Sequence, residues 1–265
     1  MEMNRRFWDE AVPIHVASEF YDVASFKAGK STLGQVELSE AGEVRGKTLL
    51  HLQCHFGMET LSWARAGAIV TGIDFSRPAI ETARSLAAEL GIDATFVESN
   101  IYDLPEKLAG QFDIVFTSLG ALCWLPDVPA WAKIAAGFVK PGGIFYILDG
   151  HPVGHSLDDE APAGELRLRY PYFAGTPVQF DGEGTYADTS AKIENRGTVE
   201  FNHNLGEIVT SLIDAGLRIE FLHEFPFCGW EALPGMIKGD DGFYHPPAGS
   251  ELVPFLFSIR ARKPA

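Results

Sequence analysis

Between residues 47 and 149, short apolar runs of strand length alternate with longer segments of helical periodicity. This alternation is typical of βαβ units, in which helices join parallel strands and pack on the sheet. The runs are apolar almost throughout, as expected for strands that are covered on both faces. Five strands are predicted, at 48–53, 68–74, 94–99, 113–118 and 144–149. The pattern constrains the chain to an α/β fold with a largely parallel sheet.

Local signals predict the helices and turns between these strands. The loop CHFG opens a helix through METLSWARAG, directly after the first strand. Ser76 is suited to cap the helix after the second strand, Pro78 fits its first turn, and Gly91 fits its end. A further helix is predicted from about Val128 to Val139, and the sequence KPGG at 140–143 predicts a turn before the fifth strand.

The rest of the chain is interpreted as additions to a single domain of 265 residues. Residues 1–46 are rich in aromatic side chains and predict a helical cap, while residues 47–150 are the half that contains the five predicted strands. Residues 151–203 are rich in Gly, Pro, Tyr and Asp and predict a cover, with turns and a hairpin in TPVQFDGEGTYAD. Residues 204–265 predict a helix, LGEIVTSLIDAG, and two strands.

The two strands near the carboxyl terminus are LRIEFLHEF and LVPFLFSIRARK. The loop between them is only about 25 residues long and contains no clear helix, whereas a parallel pair needs a crossover connection. We therefore predict that these two strands pair antiparallel.

The charge balance excludes several classes of partner. The chain has 21 Lys and Arg against 36 Asp and Glu, a formal net charge of −15, which would repel nucleic acids and anionic membranes.

Its three cysteines are widely spaced and typical of neither a disulfide framework nor a zinc site. The sequence shows no signal peptide and no run of about 20 apolar residues. We expect a cytoplasmic protein with a small-molecule partner, and the oligomeric state stays open.

Polar and small residues follow four of the predicted strands. In an open parallel sheet the ligand crevice lies beyond the carboxyl ends of the strands, so these loops are expected to meet there. The candidate cofactor-binding residues are His51, Gln53, Cys54, His55 and Gly57 at the first strand, Asp74, Phe75 and Ser76 after the second, Asn100, Ile101 and Tyr102 after the third, and Ser118 and Leu119 after the fourth.

These loops suit a ligand that contains adenosine. Asp74 can accept hydrogen bonds from both ribose hydroxyls. Asn100 can bond the adenine edge, while Ile101 or Tyr102 covers a face of the ring. Gly57 lets the backbone turn tightly into the next helix, whose first amides face the ligand.

Four segments and the Asn100 loop between them resemble a known family. The segments are LLHLQCHFG, VTGIDFS, FDIVFTSLGALCWLPD and FVKPGGIFYILD. Through them the chain resembles the class I S-adenosylmethionine-dependent methyltransferases. The resemblance implies a Rossmann-like α/β fold with helices on both faces of a seven-stranded sheet, in the order 3-2-1-4-5-7-6 with the seventh strand antiparallel. It also implies methyl transfer from S-adenosylmethionine to a small molecule, with S-adenosylhomocysteine as product.

The first loop departs from the family pattern of an acidic residue followed by three spaced glycines. The corresponding positions here are His51, Gln53, His55 and Gly57, so only the last glycine remains. In this first-loop sequence the chain resembles a bacterial branch of the family that has an HLQCH-type loop and acts on small molecules. A neutral His51 cannot attract the cofactor's ammonium as a carboxylate does. One hypothesis is that backbone carbonyls of Gln53 or His55, with polar groups of the cap, replace that contact.

Methyl transfer from a sulfonium depends mainly on the positioning of the two reactants. If the acceptor must lose a proton, the candidate bases are His151, His155 and His203. Tyr21 and Trp124 are candidates to line the acceptor pocket, although ordinary core packing would give the same pattern.

No metal is predicted. The pairs His51 and His55, and His151 and His155, have the spacing of helical metal sites, but neither pair lies on a predicted helix.

Two other functions fit parts of the pattern. An NAD-dependent oxidoreductase shares the acidic end of the second strand, but it expects the sequence G-x-G-x-x-G where this chain has QCHFGM. A non-catalytic module that binds S-adenosylmethionine or S-adenosylhomocysteine has the same cofactor loops. The aromatic and histidine-rich segments around the crevice favour an enzyme, because they suggest that a second ligand is enclosed.

Overall fold

The computed structural model describes residues 1–173, 177–247 and 251–265. Its helices are α1 (Glu2–Ala17), α2 (Val23–Lys27), α3 (Gln35–Glu40), α4 (Met58–Arg65), α5 (Arg77–Leu90), α6 (Leu104–Lys107), α7 (Val128–Phe138) and α8 (Leu205–Asp214). Its strands are β1 (Thr48–Leu52), β2 (Ile69–Asp74), β3 (Ala94–Glu98), β4 (Phe112–Thr117), β5 (Val139–Gly150), β6 (Val178–Asp181), β7 (Gly197–Glu200), β8 (Arg218–Phe225), β9 (Ile237–Lys238), β10 (Tyr244–His245) and β11 (Leu256–Arg262).

Seven of these strands form the central sheet, in the order β3-β2-β1-β4-β5-β11-β8. Strands β1 to β5 pair in parallel, and β11 is antiparallel to both of its neighbours, β5 and β8. Since β8 and β11 are the sixth and seventh strands of this sheet, the predicted order 3-2-1-4-5-7-6 is confirmed. The antiparallel pairing predicted for the last two strands is confirmed with it.

Apolar residues cover both faces of the sheet, because successive side chains of a strand point to opposite faces. Leu50 packs in a cluster with Trp131 of α7, whereas its neighbour Leu49 packs in another cluster with Trp63 of α4. All four side chains are 1% exposed or less. The near-continuous apolar runs of the sequence therefore become strands that are buried on both sides.

The predicted signals at the ends of α5 are confirmed. The Ser76 hydroxyl accepts a hydrogen bond from the backbone N–H of Ala79, a proline lies in the first turn, and Gly91 ends the helix in the left-handed conformation. A capped helix directly after β2 fixes the direction in which the chain leaves Asp74, the last residue of that strand.

The prediction of a separate turn at 140–143 was wrong. Strand β5 begins at Val139 and includes this segment, with extra residues bulged against β4, where Phe112 pairs with Val139 and Ile114 with Ile144. The backbone N–H of Gly142 donates to the carbonyl of Lys263, and the N–H of Lys263 donates to Gly143. Hydrogen bonds from the end of the chain thus keep this Gly-rich segment in the sheet.

Helices α1, α2 and α3 occupy the segment 1–46 that was predicted as a helical cap. Strands β6 and β7 pair antiparallel in 151–203, so the cover does contain a hairpin, but its second strand lies beyond the predicted segment. Thr176, within that segment, is outside the described residues. Among the described parts of the chain, no helix combines the length and apolar character needed to span a membrane.

Candidate active site

The sheet places four of the predicted loops along one edge. Leu52 at the end of β1 is level with Ile73 of β2 and with Thr117 of β4, and Asp74 is level with Glu98 at the end of β3. The chain therefore leaves these strands at neighbouring points, as the crevice argument requires. Gln53, Asp74, Asn100 and Ser118 each lie at one of these ends.

The loop between β1 and α4 has a backbone suited to glycine but carries larger side chains. Gln53 has φ +57°, His55 has φ +49° and Gly57 has φ +80°, all in the left-handed region. Left-handed conformations are uncommon for residues with a Cβ atom, and they tend to concentrate at functional sites. The three positions at which the family pattern has glycine are thus all in the left-handed conformation, and two of them carry a polar side chain.

Gly57 is expected to be essential for packing. A Cβ atom there would lie 2.8 Å from Phe96 Cε1 and 2.9 Å from Ala83 Cβ. We predict that Gly57→Ala lowers the free energy of unfolding by about 2–4 kcal/mol, from overpacking and the positive φ together. Gly91→Ala is the matched control, because Gly91 has φ +63° but open space around it. Denaturant unfolding should show a clearly smaller loss for Gly91→Ala, and equal losses would contradict the packing argument.

Asp74 is a buried carboxylate held by backbone donors. Oδ2 accepts from the backbone N–H of His55 at 2.9 Å and Oδ1 accepts from that of Ser76 at 2.9 Å. Burial raises the pKa of this carboxyl to about 6, and these hydrogen bonds oppose the shift. The next residue, Phe75, is half-buried, and the Ser76 hydroxyl donates to Asp9 Oδ1 of α1 at 2.7 Å.

His51 points into the protein. Its Nδ1 lies 2.8 Å from Thr60 Oγ1 and its Nε2 lies 2.9 Å from Ser118 Oγ, so both nitrogens have partners. Burial lowers the pKa of His51 to about 3, which leaves the ring neutral. The Cys54 thiol is also buried, and burial raises its pKa well above the ordinary value. Neither residue presents a charged group to a ligand.

A carboxylate that sequence reasoning missed lies beside His51. Glu59, in the first turn of α4, has Oε2 3.7 Å from His51 Nε2. Burial raises the pKa of this carboxyl to about 7, and a hydrogen bond with Ser118 opposes the shift. An acidic residue in the first turn of a helix is common, so the sequence alone gave no reason to select it.

The loop after β3 combines a turn with core packing. Asn100 Oδ1 accepts from the backbone N–H of Tyr102 at 3.1 Å and so caps the short 3₁₀ helix Ile101–Asp103. Ile101 is 3% exposed and belongs to the core, whereas the Tyr102 hydroxyl bonds to the backbone of Asp127. Of the two residues suggested to cover a ring, Tyr102 is the one with an accessible surface.

The loop after β4 is held by a second buried carboxylate that was not predicted. Asp149, near the end of β5, accepts from the backbone N–H groups of Gly120, Ala121 and Leu122. Burial raises its pKa to about 6, and these hydrogen bonds oppose the shift. Leu119, the partly buried neighbour of Ser118 in this loop, packs against the core.

Aromatic and histidine side chains cover the loop between β1 and α4. His15 Nδ1 on α1 lies 3.0 Å from His55 Nε2. The Trp8 ring contacts both His55 and Trp124, with ring centroids 5.2 and 5.3 Å apart. Further contacts join Tyr21 to His15 by stacking and to Tyr186 by a hydrogen bond between hydroxyls. Tyr21 and Trp124, the predicted substrate-binding residues, thus lie in one cluster with partners from the cap and the cover.

A cleft adjoins this edge of the sheet, between the loop after β4, the end of β5 and the cover segment. Its volume is about 10 Å³, which is room for about one water molecule. It is lined by Leu122, Cys123, Asp149, Gly150, Pro152, His155, Phe201, Asn202, His203 and Ile208. Two of the three predicted bases therefore line it, and His151 does not.

The hydrogen-bond partners distinguish the three histidines. His151 Nε2 lies 2.8 Å from Glu224, and its Nδ1 accepts from the backbone N–H of Val153. His203 is likewise engaged at both nitrogens, with the Leu125 carbonyl and the Glu207 carboxylate. His155 Nε2, in contrast, is buried without a hydrogen-bond partner among the described residues. Burial lowers the pKa of His155 to about 4, so its ring is neutral.

Among the described residues, the group of three potential metal ligands that comes together contains neither of the histidine pairs considered for a metal. In that group, Cys123, His155 and Glu200 place potential ligand atoms within 4.8 Å of one another. The absence of a metal therefore stays a prediction. If a metal does bind, Cys123, His155 and Glu200 at the cleft are the candidate ligands.

Comparison with known proteins gives a consistent result. A family model described as "Methyltransferase domain" matches residues 50–147. A ubiquinone biosynthesis O-methyltransferase of Vibrio campbellii is 34% identical over 145 residues, which are 54% of this chain and 56% of the relative. The chain thus spans little more than half the length of the curated relatives it matches.

Solved structures share the fold. An S-adenosylmethionine-dependent methyltransferase of Mesorhizobium loti has a TM-score of 0.60 and 23% identity, covering 89% of this chain and all of the other. A glycopeptide N-methyltransferase solved with S-adenosylmethionine has a TM-score of 0.56 and 17% identity, covering 94% of this chain and 98% of its own. The resemblance to the class I S-adenosylmethionine-dependent methyltransferases is thereby confirmed, with a methyltransferase domain at residues 50–147 and their strand order in the sheet.

Proposed function

We propose that this protein transfers a methyl group from S-adenosylmethionine to a small-molecule acceptor. The observation that carries the proposal is the gathering of Gln53, Asp74, Asn100 and Ser118 at one edge of the sheet, next to a cleft that contains an unpartnered His155 nitrogen. The methyltransferase domain match and the name of the Vibrio relative support the same activity.

The residues at this edge fit the cofactor. Asp74 has its carboxylate oriented by two backbone donors and can accept from the ribose hydroxyls. Gln53 Oε1 is buried and lacks a hydrogen-bond partner within the described ranges, which suits a donor group on a polar ligand. Asn100 and Tyr102 lie where the adenine would bind, and the aromatic cluster around His55 would exclude water from the methyl group.

His155 is the residue we propose for removing the acceptor's proton. S-adenosylmethionine supplies an activated methyl group, so the remaining demands on the protein are alignment and deprotonation of the acceptor. His155 lines the cleft, and its buried Nε2 has no hydrogen-bond partner in the described part of the chain, whereas His151 and His203 have partners at both nitrogens. A neutral imidazole is sufficient for this step, and we propose that no metal is required.

An aromatic hydroxyl is the first acceptor class to test. The Vibrio relative is named as an O-methyltransferase of ubiquinone biosynthesis. Aromatic side chains around Trp124 and a base in the adjoining cleft would suit a ring that bears a hydroxyl group. The net charge of −15 supports a small molecule over nucleic acid or an anionic membrane.

Two measurements test the proposal. Isothermal titration should show that S-adenosylmethionine and S-adenosylhomocysteine bind and that NAD does not. Incubation with methyl-labelled cofactor and pools of small molecules should then yield a labelled product. Binding without any labelled product would favour the non-catalytic module, and binding of NAD alone would favour an oxidoreductase.

A further inference from the structure

Glu59 is a carboxylate enclosed at the candidate cofactor site. It lies in the first turn of α4, and its side chain is 23% exposed. Its Oε2 is 3.7 Å from His51 Nε2, and it lies near enough to Ser118, the residue after β4, for that side chain to affect its pKa. Glu59 therefore lies between the carboxyl ends of β1 and β4, two neighbouring strands of the sheet.

This carboxylate has no cationic partner in the described part of the chain. The basic group within ion-pair distance is His51, whose nitrogens are committed to Thr60 and Ser118. Burial keeps the pKa of His51 at about 3, so its ring is neutral and cannot balance the charge. A partly buried carboxylate without a positive partner is costly for a protein to retain.

A second acceptor lies close by in the chain. Gln53 Oε1 is buried without a hydrogen-bond partner among residues 1–173, 177–247 and 251–265. The Gln53 amide is oriented by its Nε2, which donates to the Ala121 carbonyl at 3.1 Å. Gln53 directly follows β1, and Glu59 lies beside His51 of the same strand, so both acceptors adjoin the end of β1. An ammonium group, which has three donors and no acceptor, would suit them.

We infer that Glu59, assisted by Gln53 Oε1, binds the ammonium group of the cofactor's amino-acid tail. The inference rests on the proposed function, because it takes S-adenosylmethionine as the ligand. It also explains the departure at the first loop. The negative charge missing at His51 is supplied from the first turn of α4, and His51 becomes a neutral residue that joins Thr60 to Ser118.

The test compares two ligands on the same variant. S-adenosylhomocysteine has the amino-acid tail, whereas 5′-methylthioadenosine keeps the adenosine and the thioether but lacks the tail. Removing a charge-assisted hydrogen bond by Glu59→Gln should weaken S-adenosylhomocysteine binding about 10- to 100-fold. The affinity for 5′-methylthioadenosine should stay within about twofold of the wild type, which also shows that the variant is folded.

Glu40→Gln is the matched control. Glu40 is another largely buried carboxylate, on α3, and it accepts from the Tyr146 hydroxyl and bonds to His223 Nδ1. Its replacement should leave the affinities for both ligands nearly unchanged. Equal effects of Glu59→Gln on the two ligands, or no effect on either, would overturn the inference. Failure of the wild type to bind either ligand would instead refute the proposed function.

Discussion

Replacement of Asp74 with asparagine is expected to weaken the binding of 5′-methylthioadenosine by about 100-fold, because hydrogen bonds to a charged acceptor contribute roughly 1.5–3 kcal/mol each. The carboxylate is held in place by the backbone N–H groups of His55 and Ser76, so the site exists before a ligand enters. The measurement is isothermal titration at pH 7.5. A ligand without the amino-acid tail keeps the result independent of Glu59.

Asp113→Asn provides the control for lost stability. Asp113, in β4, accepts from the backbone N–H and the hydroxyl of Thr48 and pairs with Lys140 at 2.9 Å. Like Asp74, it thus holds a backbone N–H group in place. It lies near the amino end of its strand, away from the candidate site. This variant should unfold more easily and bind the ligand normally. If both variants lost affinity equally, the role of Asp74 would be structural.

The same carboxylate predicts a pH dependence. The pKa of Asp74 is raised to about 6, chiefly by burial. The ionised form, which we propose accepts from both ribose hydroxyls, prevails above this pH and is lost as the pH falls through it. Affinity for 5′-methylthioadenosine should therefore be about tenfold lower at pH 5 than at pH 7.5. The Asp74→Asn variant should show a flat profile, and a sloping one would assign the titration to another group.

Replacement of His155 with glutamine is expected to lower kcat by about 10²- to 10⁴-fold, the usual contribution of a general base. The binding of S-adenosylhomocysteine should stay within about twofold, since His155 lies in the cleft and not in the cofactor loops. The assay uses an acceptor identified by the labelling experiment. An unchanged kcat would show that the acceptor needs no base at this position.

Two comparisons separate a base from other roles. His151→Gln removes a histidine that is hydrogen bonded to Glu224 and Val153, so it should reduce stability while kcat stays within about threefold. A metal held by Cys123, His155 and Glu200 would make activity sensitive to chelators and to Cys123→Ser. Activity that survives both chelation and Cys123→Ser would support His155 as a general base. Activity lost in both would support His155 as a metal ligand.

The sequence pattern determined the succession of strands and helices and the edge at which the candidate site lies, whereas the order of the strands in the sheet was implied by the family resemblance. Alternating apolar runs and helical segments are local patterns, and short crossover connections leave few arrangements for parallel strands. Asp74 and Gln53 could be selected for the same reason, since the last residues of adjacent parallel strands meet at one edge of the sheet. The turn predicted at 140–143 failed because hydrogen bonds from Lys263, at the far end of the chain, keep that segment in the sheet.

Only the tertiary structure decided what each side chain does at that edge. His51 and His155 are the same residue type, yet His51 is bonded at both nitrogens, whereas His155 Nε2 has no partner among the residues that the structure describes. Glu59 resembles any acidic residue at a helix start until its distance from His51 is known. Burial and hydrogen-bond partners come from residues far away in the chain, whereas the positions of strands and helices follow from short-range periodicity. The sequence therefore indicated where the candidate site lies, and three-dimensional packing determined the hydrogen-bond partners of its side chains.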